Sequence, residues 1–244
     1  MYGVLKYICG VRFSYCVRRV STVLAMDSTQ EKYLEERCIL VDENDKVLGS
    51  ETKRTCHLNT NIEAGMLHRA FSVFLFNQKG ELLLQKRSNA KITFPACWTN
   101  TCCSHPLYCQ EELDETDNIG VRRAVRRKLK HELGIPPEQV PLEELNVLTK
   151  IHYKAPSDGQ WGEHEVDYMV FLQKEVTLDL NDNEVAECRY VNQQQLREMV
   201  EQDKSDSITL TPWFRLITNS FLFKWWDSLK DLSPHKDNLV HKLV

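Results

Sequence analysis

The sequence predicts an α+β fold: a mixed sheet with helices outside it, around a single core. Three observations carry that expectation. At 244 residues, 42% of them hydrophobic and 27% charged, the chain can bury a sizeable core. Short apolar runs of strand period recur between residues 38 and 191. Segments of helical apolar period, starting near residues 119 and 211, stand among and after them rather than in a separate block. With no internal repeat or low-complexity tract, residues 27–244 are expected to form one domain, preceded by a basic leader over 1–26.

Cys38 to Val41 and Val47 to Leu48 flank the acidic turn Asp42-Glu43-Asn44-Asp45 and read as a hairpin. Phe71 to Phe76 and Leu82 to Gln85 flank Asn77-Gln78-Lys79-Gly80 and read as a second, more apolar one. Ile119 to Leu133 reads as a helix. Val121, Val125, Leu129 and Leu133 recur on one face, Asp114, Glu115 and Asp117 precede it where the helix dipole favours acids, and Gly134 with Pro136 and Pro137 stops it. Strands over Val147 to Tyr153 and Glu165 to Leu172 follow, separated by the Pro/Ser/Asp/Gly loop of 155–162. A strand near Cys188 to Val191 leads into a helix beginning after Asn192. The last helix takes Thr211 as its cap and Pro212 in its first turn, and carries Phe214, Ile217, Phe221 and Trp225 along one side.

The 31 basic and 35 acidic residues give a formal charge of -4, which argues against nucleic acid or an anionic membrane as the main partner. An anionic substrate would need local basic groups. No stretch is long and apolar enough to span a bilayer. Residues 1–26 hold Lys6, Arg12, Arg18 and Arg19 and no acid, which leaves -8 on the remainder. With Ser14, Ser21 and Thr22 this is the composition of a mitochondrial transit peptide, or of an extension bypassed by a second start at Met26. His241-Lys242-Leu243-Val244 approaches a peroxisomal tripeptide, with Val where its terminal Leu should stand. Nine cysteines without a paired spacing framework point to free thiols in a reducing compartment.

Glu163 and Glu165 lie two apart at the start of a strand, so both carboxylates turn to one side, away from Val166, Tyr168, Val170 and Leu172. They can share an ion. Asp167 on the same side equally allows a solvated strand face. His57, His68 and His105 each stand beside a turn or strand boundary, and imidazoles with carboxylates suit magnesium or a transition metal in a six-coordinate site; each alone would read as structural. Cys103 and His105 precede Pro106 in an extended stretch that points both the same way, which brings a thiol able to move a proton near that metal. Cys97, Cys102, Cys103 and Cys109 around His105 also permit a zinc knuckle, although adjacent cysteines without a Cys-x-x-Cys pair fit structural zinc poorly. Glu132 falls inside the apolar stripe of its helix, where a carboxylate needs a partner. Either it forms a simple i,i+4 pair with Lys128, worth a few tenths of a kcal/mol on a helix surface, or Glu132 holds a metal and Lys128 an anion. Lys53, Arg87 and Lys91 add positive charge for a phosphate, though singly each would be an ordinary surface residue.

Several stretches resemble, in the family's order, motifs of the type I isopentenyl-diphosphate delta-isomerases, members of the Nudix superfamily. They are Cys56-His57-Leu58-Asn59, Leu67-His68-Arg69-Ala70-Phe71-Ser72, Thr99-Asn100-Thr101-Cys102-Cys103-Ser104-His105-Pro106, Trp161-Gly162-Glu163-His164-Glu165 and Thr211-Pro212-Trp213, and the resemblance runs over nearly all of 33–230. It implies an α/β/α Nudix-type sandwich with a mixed sheet, and a monomeric enzyme of the cytoplasm or peroxisome. That enzyme would interconvert isopentenyl and dimethylallyl diphosphate, small-molecule isoprenoid substrates of sterol-precursor biosynthesis. By the same resemblance His57, His68, His105, Glu163 and Glu165 ligate a divalent metal, whether Mg2+, Mn2+ or Zn2+. Cys103 and Glu165 transfer the protons, Tyr153 assists the glutamate, and Trp213 faces a cationic intermediate. Glu132 would hold Mg2+ against the diphosphate, with Lys53, Arg87, Lys91 and Lys128 binding it.

Chemically, moving the double bond needs a proton added on one face and another removed from the neighbouring carbon, through a tertiary carbocation, so two groups on opposite sides are required. The hydrolase box of the superfamily expects Arg-Glu and then Glu-Glu; here Lys128 follows Arg127 and His131-Glu132 stands for the acidic pair, so hydrolysis of the diphosphate is not expected. Ala96 of Phe94-Pro95-Ala96 stands where the resemblance leads one to expect Gly. A diphosphate hydrolase and a non-catalytic metal-binding module are the competing readings.

Overall fold

The structure is a computed structural model that describes residues 26–243, so the leader read over 1–26 lies, save for Met26, outside the described residues. Helix α1 (Ser28–Tyr33) is capped by the Asp27 side chain, which accepts from the amides of Thr29 and Gln30. The first hairpin, β1 (Arg37–Val41) and β2 (Val47–Thr52), runs into two short helices, α2 (Lys53–His57) and α3 (Asn59–Glu63). β3 (His68–Phe76) and β4 (Leu82–Arg87) form the second hairpin, followed by β5 (Trp98–Thr99) and β6 (Cys102–Ser104). Then come α4 (Ile119–Leu133), β7 (Asn146–Pro156), β8 (Gly162–Gln173), β9 (Val185–Val191) and α5 (Gln193–Lys204), the last capped by Asn192 in a capping box with Gln195. The final helix comprises α6 (Pro212–Ile217) and α7 (Phe223–Asp227), and β10 (Val240–Lys242) ends the described chain as a strand parallel to β7.

The sheet is mixed, in the order β10-β7-β8-β3-β1-β2, with β4 and β6 also paired to β3, and β5 and β9 to β4. β3 runs parallel to β8 over its whole length, and every residue of β3 is buried, which demands cover on both faces. The strand period supplies two apolar faces. Phe71, Val73, Leu75, Tyr168, Val170 and Leu172 pack with Val121, Val125, Leu129 and Leu133 of α4. On the other side Phe74, Phe76, Met169 and Phe171 pack with Leu196 and Met199 of α5 and with Phe214, Ile217, Leu222 and Trp225 of the final helix. The expected α/β/α sandwich results. Among the described residues every cysteine is a free thiol, and no helix is long and apolar enough to cross a membrane.

Three local readings need correction. Thr211 occupies the cap position, but its hydroxyl bonds to Thr99 Oγ1 at 2.8 Å rather than to a helix amide. A π-helical turn over Thr218–Leu222 joins α6 to α7 and advances the apolar stripe by one residue, so Leu222 is buried where Phe221 was expected and Phe221 is only partly buried. The solvated acidic face does not exist: Asp167 is buried and accepts from Ser72 Oγ at 2.8 Å. Ala96, which stands where the resemblance leads one to expect Gly, adopts φ 60°, the left-handed region that glycine enters without strain.

α4 ends as its sequence dictates. Gly134 takes φ 66°, and a Cβ placed there would lie 2.1 Å from the Asp179 carbonyl oxygen. Gly134→Ala should therefore cost about 1–3 kcal/mol, read in thermal denaturation as a Tm lower by about 2–10 °C. An unchanged Tm would show that the loop carrying Asp179 yields freely.

Candidate active site

Polar residues gather at one end of the sheet face that the final helix covers. Glu165 on β8 is in register with His68 on β3 to one side and with Tyr153 on β7 to the other. Glu163 lies two residues earlier on the same face of β8. His57 is the last residue of α2, which the first hairpin delivers to this end, and His105 directly follows β6. The three imidazole rings form a near-equilateral triangle, with centroids 4.8, 5.0 and 4.9 Å apart.

One donor atom from each of His57, His68, His105, Glu163 and Glu165 lies within 4.8 Å of the others, and all five residues are buried. A divalent ion about 2.1 Å from each donor sets opposite donors about 4.2 Å apart, so the group fits around a single cation. Several of its atoms also lack a hydrogen-bond partner. His57 Nε2 and Glu163 Oε2 approach to 2.8 Å without hydrogen-bond alignment, and neither ring nitrogen of His68 makes a hydrogen bond. Each buried unpartnered polar atom costs about 1–3 kcal/mol, which a bound cation offsets. His57 Nδ1 donates to the Lys53 carbonyl at 2.7 Å, which leaves Nε2 as the ring nitrogen facing the group. Burial, with His68 and His57 alongside, holds His105 well below its ordinary value, hence neutral as a ligand must be. Burial raises the two carboxyls, but His57 beside Glu163 and His68 beside Glu165 outweigh it and keep both ionised at neutral pH.

Around this group the remaining residues fall into two sets. Lys53, Arg87, Lys91, Cys103, Tyr153 and Trp213 line one cavity with His105, Glu163 and Glu165. Tyr153 donates its hydroxyl to Glu165 Oε2 at 2.5 Å, and His105 Nε2 lies 2.8 Å from Oε1. Cys103 donates to Asn100 Oδ1 at 2.9 Å and accepts from Trp213 Nε1 at 3.0 Å. Burial, reinforced by nearby Asp167, pushes the Cys103 thiol up to about 12, so it keeps its proton at neutral pH. The Trp213 ring sits 5.9 Å from Tyr153, 5.3 Å from Phe94 and 5.6 Å from the Arg87 guanidinium, which already meets its π system as a cation. Arg87 also donates to the carbonyls of Thr93 and Phe94, fixing the loop that covers the indole.

Glu132 and Lys128 form the second set and do not line that cavity. They lie on α4, across β6, where Cys102 turns away from Cys103 and donates to Glu132 Oε2 at 3.4 Å. Lys128 Nζ is 3.2 Å from Glu132 Oε1, and Gln85 Nε2 donates to Oε2 at 3.1 Å. The i,i+4 pair thus exists, but buried rather than on a helix surface. The zinc knuckle is excluded, since Cys97 packs in the core beside Trp98, Cys102 faces α4, and among the described residues the converging donor group contains no cysteine. Sequence reasoning missed Thr93, whose hydroxyl donates to Glu163 Oε1 at 2.8 Å, and the Ser72–Asp167 pair behind Cys103. It also assigned no role to Asn100, although Asn100 stands in one of the quoted motifs.

Residues 66–214 match the family model described as NUDIX domain. The chain is 57% identical over 219 residues to Isopentenyl-diphosphate Delta-isomerase 1 of Mus musculus, covering 89% of this chain and 96% of that relative. It is 54% identical over 227 residues to Isopentenyl-diphosphate Delta-isomerase I of Clarkia breweri, covering 89% and 78% respectively. A solved protein from Deinococcus radiodurans aligns with TM-score 0.50 at 17% identity over 76% of this chain and 99% of that one, a likeness of fold alone.

A donor group of this composition is compatible with a divalent metal, and binding there would make stability depend on it. Chelation should lower the Tm, and saturating metal at about 100 times Kd should restore about 2.7 kcal/mol, or roughly 5–10 °C. The effect should weaken as the pH falls, because protons compete with the metal for the same donor atoms, and should be lost in His57→Ala and His105→Ala. A Tm indifferent to chelator and metal would remove the ion from this site.

Proposed function

This chain belongs to the type I isopentenyl-diphosphate delta-isomerases of the Nudix superfamily, and from that premise we propose that it interconverts isopentenyl and dimethylallyl diphosphate as a monomer supplying isoprenoid and sterol precursors. One observation carries the reading: a protonated thiol and an ionised carboxylate, Cys103 and Glu165, border the same buried cavity with an indole between their partners. Trp213 donates to Cys103 and sets its ring, tilted, beside that of Tyr153, which in turn donates to Glu165.

In the proposed reaction the alkene lies between these two groups. One of them adds a proton to one face and the other removes a proton from the neighbouring carbon on the opposite face, and their roles exchange with direction. Tyr153 holds the Glu165 carboxylate in place and relays its proton. The π face of Trp213 stabilises the tertiary cation by about 2 kcal/mol once water is excluded, and the covering loop at Thr93 and Phe94 keeps nucleophilic water out. Lys53, Arg87 and Lys91 anchor the diphosphate, with Lys128 behind them, so binding energy fixes the position of the alkene. A divalent ion on the His/Glu group would supply fixed positive charge beside Glu165.

The test is isomerisation of isopentenyl diphosphate in deuterated water with magnesium, followed by NMR. Wild type should form dimethylallyl diphosphate carrying deuterium, while Cys103→Ala and Glu165→Gln, both folded, should lose at least about 100-fold in rate. Wild-type turnover by either variant would remove that residue from proton transfer, and release of phosphate would point to hydrolysis instead.

A further inference from the structure

Lys91, one of the cavity's cations, does not stand alone. Its Nζ lies 2.5 Å from Glu184 Oε2, and Glu184, immediately before β9, is 1% exposed. The other carboxylate oxygen, Oε1, accepts from Gln30 Nε2 of α1 at 3.2 Å. Gln30 is in turn fixed by Asn183, whose Oδ1 accepts from Nε2 at 2.8 Å and whose Nδ2 donates to the capping Asp27 at 2.9 Å. One buried carboxylate therefore stands between an ammonium at the cavity wall and the first helix. Burial holds the Lys91 ammonium below the usual lysine range, nearby Arg87 and Lys53 add to that, and Glu184 opposes all three. A lysine stem also has several rotatable bonds, so an ammonium without this partner would be neither held in one place nor reliably charged.

We propose that Glu184 is a positioning residue for the diphosphate: it holds the Lys91 ammonium at the cavity wall and ties it through Gln30 to α1. The proposal rests on the isomerase reading above. It also predicts a sign opposite to simple electrostatics. A carboxylate that merely neighboured an anion site would repel the substrate, and neutralising it would tighten binding. A carboxylate that positions the anchoring cation does the reverse.

The experiment compares wild type, Glu184→Gln, Lys91→Met and the double variant as full-length, metal-loaded protein, in isomerisation kinetics and in calorimetric titration with inorganic diphosphate. Glu184→Gln should raise KM and the diphosphate Kd about tenfold, with kcat within about twofold. The double variant should match Lys91→Met, because Glu184 acts only through Lys91. An unchanged or lowered KM in Glu184→Gln, or losses that multiply in the double variant, would overturn the proposal. If Glu184→Gln fails to fold, leaving Lys91 charged and unpaired, the double variant removes both charges, and its comparison with Lys91→Met decides the point. Lack of turnover by wild type would sink the isomerase reading, while the diphosphate titration would still test Glu184.

Discussion

The carboxylate of Glu165 is the fixed point of the cavity. A buried charge of this kind costs several kcal/mol unless it is surrounded by partners. Here Tyr153 donates to one oxygen at 2.5 Å, while His105 and His68 stand 2.8 and 3.4 Å from the other. The sheet order is what makes this possible, since the parallel β3–β8 pairing puts His68 beside Glu165 and the antiparallel β7–β8 pairing puts Tyr153 on its far side. A slip of β8 by one residue would turn Glu163, Glu165 and Asp167 toward α4 and drive Val166, Tyr168 and Val170 into the cavity. Register and site are therefore one constraint. The apolar face that Phe74, Met169 and Phe171 continue beyond the acids enforces it.

That linkage explains what could be read from the chain alone. Period two along 71–76 and 165–172, and the 3.6-residue recurrence of Val121, Val125, Leu129 and Leu133, report burial directly, so these elements and their faces were legible. α4 even keeps its expected bounds, because Gly134 is a local stop. β10 was not legible, since its partner β7 is distant in sequence and a three-residue strand has too little pattern of its own. The π turn was hidden because Phe221 and Leu222 are both apolar, and only the packing of the helix selects between them. Among site residues, histidines, paired glutamates and the thiol announce themselves by type. Thr93 and Glu184 do not, because an ordinary Thr or Glu acquires a role only from what faces it. Asp167 was misplaced for the same reason: its partner Ser72 lies on another strand.

β6 divides two environments with a single peptide. Cys103 and Cys102 are adjacent, and strand alternation sends the first to the cavity and the second toward α4. On the cavity side the thiol has an amide oxygen, an indole N–H and no cation in contact, an environment that keeps its proton. Toward α4 the buried charges form a neutralised pair, Lys128 with Glu132, and at the cavity wall Lys91 is paired in the same way with Glu184. Lys128 is held above the usual lysine range in spite of burial, because Glu132 and Glu184 both favour its charge.

Pairing in advance has a consequence for how a diphosphate would be received. Four cations gathered without counter-charge would repel one another and lose protons to burial, so a strongly basic empty pocket is not a stable arrangement. With two carboxylates already in place, Lys128 and Lys91 are paired and desolvated before any anion arrives, and the cost of stripping their water is met when the chain folds. A diphosphate entering there would compete for ammonium groups already paired with Glu132 and Glu184, while the thiol stays hydrogen-bonded to Asn100 and to the indole. Lys53, Arg87 and Lys91 thus share one cavity with the thiol and the indole, while Lys128 and Glu132 stand behind β6.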